Sequence, residues 1–199
     1  MTSSDSPPTT KPRKGWRLPA PLVKFMKREI RNHNNMSVGH LGRTILASFL
    51  LDGFELSAAG RERLEAERAA LRMTRRDYYV HILDRRARTL RGAAGAPHRA
   101  AEPLQLDRFT SGVTVFQNWY LAPECLEALL RDAEAEWMDK ATGKANATGL
   151  CVYLVNMYAS YYPLSLELAE RLERERLEKH QNRLEYFKTI WWAHAEGLE

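Results

Sequence analysis

The chain has 199 residues, 44% hydrophobic and 28% charged, a globular balance that excludes a fibre or a wholly disordered chain. Its mean hydropathy is −0.49 and no apolar run approaches the roughly 18 residues of a spanning helix, so no membrane partner is expected. The net charge of +5 is unevenly placed: residues 1–100 carry 20 Lys or Arg against 9 Asp or Glu, and residues 101–199 carry 10 against 16.

A basic first half suits a polyanionic partner. The N-terminus, MTSSDSPPTTKPRKG, has no apolar core of a secretory signal. Two cysteines, Cys125 and Cys151, are too few for a disulfide framework and fit a reducing compartment, so a cytoplasmic location is expected.

Residues 1–15 are rich in Ser, Pro, Thr and Lys and read as a flexible basic tail. Trp16-Arg17-Leu18 is extended, because the residue before Pro19 is biased away from helix and proline suits a first helical turn. Leu22, Val23, Met26 and Ile30 recur at helical spacing, and Asn32, Asn34 and Asn35 break the pattern. Ser37 is an N-cap for a helix with the stripe Val38, Leu41, Ile45, Leu46 and Phe49, stopped at Asp52-Gly53.

The order then recurs. Phe54-Glu55-Leu56 reads as a short extended piece, Ser57 caps a helix to about Arg72, and Thr74 with Asp77 forms a capping box for a helix to about Leu90. Trp16 and Leu18 match Phe54 and Leu56 at a shift of 38, and Met36-Ser37 matches Met73-Thr74 at a shift of 37.

Residues 92–103, GAAGAPHRAAEP, read as a linker, and residues 104–199 as a helical C-terminal domain serving oligomerisation or partner binding. Val113-Thr114-Val115-Phe116 fits a strand, and Pro123 opens a helix through Leu126, Leu129, Leu130 and Trp137. The run from Leu150 to Tyr162 is a buried helix or a buried strand, which periodicity does not separate. A last helical stretch carries Leu177, Leu184, Phe187, Ile190 and Trp191, a stripe that suits self-association.

Enzyme motifs are scarce. The six histidines form no HExxH, the cysteines no CxxC, and GxGxxG, P-loop and GxSxG sequences are lacking. No catalytic residue, metal or cofactor is expected.

The segment WRLPAPLVKFMKREIRNHNNMSVGHLGRTILASFLLDG resembles the ribbon-helix-helix family of DNA-binding proteins, and residues 54–90 look like a degenerate second copy. That resemblance implies a mainly α fold: a tandem ribbon-helix-helix domain over residues 16–91, with a short two-stranded antiparallel ribbon and four helices, then the C-terminal helices. It implies double-stranded DNA as partner, read in the major groove. Trp16, Leu18, Phe54 and Leu56 would form the ribbon core, while Arg17, Arg13 and Glu55 would face the bases. Whether the ribbon pairs within one chain or between two stays open.

Phosphate contacts fall to helix N-termini and nearby cations: Ser37, Val38, Gly39, Thr74, Arg75 and Arg76, with Lys14 and Arg43. The expected function is a sequence-specific DNA-binding regulator or repressor. The alternatives are a plasmid transfer or partition accessory factor, and an antitoxin-like module that binds a protein partner through its second half. A homo-oligomer is expected.

Overall fold

The computed structural model describes residues 13–32, 36–90 and 113–198. Strand β1, Arg13–Pro19, runs directly into helix α1, Ala20–Glu29, with proline in its first turn. Helix α1 buries Leu22, Val23, Phe25 and Met26 and ends in a tight turn at Ile30–Asn32. Ser37 is extended, and its hydroxyl accepts the His40 amide at 3.1 Å, which starts helix α2, Val38–Ala47. This helix buries Leu41, Gly42, Ile45 and Leu46, then widens into a π-helical turn, Ser48–Asp52.

Residues 54–56 are not a strand, which corrects the expected second ribbon unit. Gly53, Phe54 and Glu55 have φ of 54°, 61° and 66°, a left-handed turn in which no β ladder can form. The turn is held by Asp52, whose Oδ1 accepts the Phe54 amide at 2.9 Å. It drops Phe54 among Phe49, Phe187 and Trp191, with centroids 4.8–5.3 Å away. Helices α3, Ala58–Ala70, and α4, Arg75–Thr89, follow on the Ser57 and Thr74 caps.

The partner of β1 lies far along the chain. Strand β2, Thr114–Tyr120, pairs antiparallel with it, from Arg13 opposite Tyr120 to Pro19 opposite Thr114. After β2 come α5, Pro123–Glu136; α6, Ala147–Ser160; α7, Leu166–Glu178; and α8, Arg183–Glu196. Residues 150–160 are therefore helical, and nearly every side chain there is buried. Among the described residues the architecture is one two-stranded sheet flanked by eight α-helices, not a tandem pair of ribbon-helix-helix units in residues 16–90.

The two halves repeat each other as wholes. Among the described residues each is a strand followed by four α-helices, in the same order. A shift of 103 takes Trp16 to Trp119, Leu18 to Leu121 and Glu29 to Asp132, and a shift of 109 takes the cap Ser37 to the cap Asn146. A shift of 108 takes the caps Ser57 and Thr74 to the caps Ser165 and Asn182. The step from 109 to 108 is one extra residue in the first half, and the π-helical turn at Ser48–Asp52 absorbs it.

Across residues 54–89 and 162–197 the halves agree at 12 of 36 positions, enough to tie identical contacts to identical residues. Arg68 reaches Glu65 and the Met73 carbonyl as Arg176 reaches Glu173 and the Gln181 carbonyl. Tyr78 donates to Glu67 as Tyr186 donates to Glu175.

The halves interlock around a shared hydrophobic core. Helix α2 lies on β2 and α6, α6 lies on β1 and α1, and α4 packs against α7 and α8. Phe187, Ile190 and Trp191 are 0–1% exposed within this core, while Leu184 is half-buried and Leu177 exposed. The expected linker at residues 92–103 lies outside the described residues. Among the described residues no helix is long and apolar enough to cross a membrane.

Candidate nucleic-acid interface

The ribbon has two unlike faces because strand side chains alternate. Its inner face carries Trp16, Leu18 and Trp119, all fully buried, with the two indoles 6.2 Å apart. Its outer face carries Gly15 and Arg17 from β1 and Thr114, Phe116, Asn118 and Tyr120 from β2, all exposed. Phe116 is 59% exposed and Tyr120 42%, so two aromatic rings stand in water where a core would hide them. Gly15 lies opposite Asn118 and Arg17 opposite Phe116. A Cβ on Gly15 would overlap the Phe116 ring, so the glycine is what lets that ring lie across the ribbon.

The first turn of α2 lies against β2. A Cβ on Gly39 would meet Trp119 Cδ1 at 3.3 Å and the Asn118 carbonyl at 3.7 Å. Ser37 uses its hydroxyl on the His40 amide, and the Val38 and Gly39 amides are left without an intrahelical acceptor. Arg43 is half-buried one turn on. Arg13 and Lys14 pair through their backbones with Tyr120 and Trp119.

The other residues named from the sequence sit elsewhere. Glu55 forms an exposed ion pair with Lys188 of α8. Phe54 and Leu56 are buried, but against helices rather than in a ribbon core. Thr74 is a capping residue, its hydroxyl accepting from the Asp77 amide at 3.1 Å and donating to the Asp77 carboxylate at 2.8 Å.

At α4 the amides of Arg75 and Arg76 donate to Glu136 Oε1 and Oε2 at 2.8 and 3.2 Å. A carboxylate of the chain itself thus occupies the place that the sequence reading gives to a phosphate. The Arg75 guanidinium reaches Asp132 at 3.2 Å, Glu65 at 3.1 Å and the Leu50 carbonyl at 3.3 Å. Arg76 lies over Trp137 and Tyr153, 5.3 and 5.9 Å from their ring centroids.

The repeat places the equivalent cluster in the second half. Glu173 accepts from Tyr161 at 2.9 Å, Arg176 at 2.6 Å and Arg183 at 3.0 Å. Burial pushes its carboxyl up, but Arg183 and Arg176 outweigh burial and hold it down at about 2. These cations neutralise buried carboxylates and build the fold. Among the described residues no group of three or more His, Cys, Asp or Glu could hold a metal ion.

The chain matches no family model, no curated protein and no solved structure. The β2 contribution to the outer face, Phe116, Asn118 and Tyr120, is what sequence reasoning missed. The signal that finds it is the long repeat, since Trp119 is the counterpart of Trp16.

Proposed function

We propose that this protein binds double-stranded DNA in a sequence-specific manner, laying the outer face of β1 and β2 in the major groove. The observation that carries this reading is the exposed row of Arg17, Phe116 and Asn118 on one face of a two-stranded ribbon. The major groove is about 12 Å wide and admits such a ribbon. Arg suits guanine O6 and N7, Asn suits adenine N6 and N7, and a phenyl ring suits the thymine methyl.

Charge supports the same reading. Residues 6–51 hold nine Lys or Arg, among them Lys11, Arg13, Lys14 and Arg17, and a single acidic residue, Glu29. That density in the sequence favours a polyanionic partner. Regulation by occupancy of a DNA site is the biological role that fits a groove reader. A protein-binding module is the second reading, favoured by the exposed Val113, Phe116 and Tyr120.

The test is fluorescence anisotropy of a labelled mixed-sequence duplex titrated with the full chain at several salt concentrations. Binding should weaken linearly in log–log form as salt rises. Absence of binding at low salt would remove the DNA reading and leave the protein-binding one.

A further inference from the structure

We infer that the target is a non-palindromic duplex occupied by one chain. This deepens the DNA reading above and rests on it. A reader built from two identical subunits presents the same residues to both halves of its site, so its sites are palindromic. Here both strands of the ribbon come from one chain, and the two halves are equivalent in fold but not in chemistry.

The pseudo-dyad can be placed. The shift of 103 that relates the halves takes Gly15 to Asn118, and these two residues are also opposite each other in the ladder. The axis therefore passes between Gly15 and Asn118. About it, Arg17 is equivalent to Tyr120, and Arg13 to Phe116. Arg17 stands on β1 where its counterpart on β2 is Tyr120, so a cation at one place answers an aromatic ring at the dyad-related one.

On the axis itself a backbone without a side chain faces an amide. An Arg offers paired donors to guanine, whereas an aromatic ring offers apolar contact. A palindrome, which shows the same bases about its dyad, cannot satisfy both strands alike.

Flanking charge breaks the symmetry further. Against the nine cations and one acid of residues 6–51, residues 114–160 hold three Lys or Arg and six Asp or Glu. Asp132 is paired with Arg75 and Glu136 caps α4, so the second stretch is close to neutral, while the first is strongly cationic and attracts phosphates.

The experiment is selection of bound sequences from a randomised duplex library with the full chain, then determination of stoichiometry on the enriched duplex. The expected result is a non-palindromic motif bound by one chain. Tyr120→Arg, which puts arginine at the counterpart of Arg17, should add a guanine preference at the dyad-related base, about tenfold in affinity. A palindromic motif bound by two chains would overturn this inference and leave the DNA reading standing. A library without enrichment for a chain that binds duplex non-specifically would overturn it too, and a chain that binds no duplex removes the reading beneath it.

Discussion

The Phe116 ring lies over the backbone of Gly15, across the outer face of the ribbon, in space that a Cβ on Gly15 would take. Gly15→Ala must then turn the ring out or part the strands. The ring is 59% exposed and can swing outward, so the expected cost is about 0.5–1.5 kcal/mol in urea unfolding, that of an off-rotamer side chain rather than of an overpacked core. Adding Phe116→Ala to the same chain removes the obstacle and should recover most of the loss. A double variant as unstable as Gly15→Ala alone would show that the ring is not the reason.

Trp119 joins the ribbon to α2. A Cβ on Gly42 would stand 2.5 Å from its Cζ2, so the helix backbone rests on the indole. Trp119→Ala should cost about 3–5 kcal/mol, since a fully buried ring leaves a cavity under two elements at once. Gly42→Ala should destabilise by pushing α2 off β2, and thermal unfolding measures both.

Glu173 gives the fold a defined acid limit. Its carboxyl ordinarily titrates at 4.5 and in the folded chain at about 2, so the folded state holds its proton less readily than the unfolded one. Its contribution is full above pH 4.5 and is lost as pH falls from there through 2. The thermal midpoint should drop across that window, and Glu173→Gln should flatten this part of the profile. An unchanged slope in the variant would contradict the assignment.

Arg75 is expected to act on folding rather than on DNA. Its guanidinium is committed to Asp132 and Glu65, and its amide to Glu136. Arg75→Ala should therefore lower the unfolding midpoint while leaving the slope of log affinity against log salt unchanged. Loss of a phosphate contact would reduce that slope by about 0.9.

Local order was legible in the sequence where a short-range rule applies. Ser37 and Thr74 cap the helices that their spacing predicts, and Pro19 marks the passage from strand to helix. The ribbon's second strand was legible as a strand at Val113–Phe116, but not as the partner of β1. Phe54-Glu55-Leu56 has the same apolar–charged–apolar pattern as Trp16-Arg17-Leu18, and pattern does not report φ.

What decides between them is tertiary. Asp52 closes a left-handed turn, and Phe54 gains more in the aromatic cluster than in a ladder. The short shift of 37–38 residues masked the long one, although Leu56-Ser57 and Leu164-Ser165 already show it. On the outer face, alternation placed Arg17 correctly. Asn118 and Tyr120 need the register with β1, which only the folded chain supplies.

The ribbon's place in the groove is tested most directly by attaching a DNA-cleaving iron chelate at Asn118→Cys. Cys125 and Cys151 are buried, and burial pushes the Cys125 thiol up to about 11, so a maleimide reagent goes to position 118. Ribbon docking predicts cleavage of both strands at the centre of the protected stretch. Cleavage only at its edges, or none from a labelled chain that still protects the duplex, would contradict it.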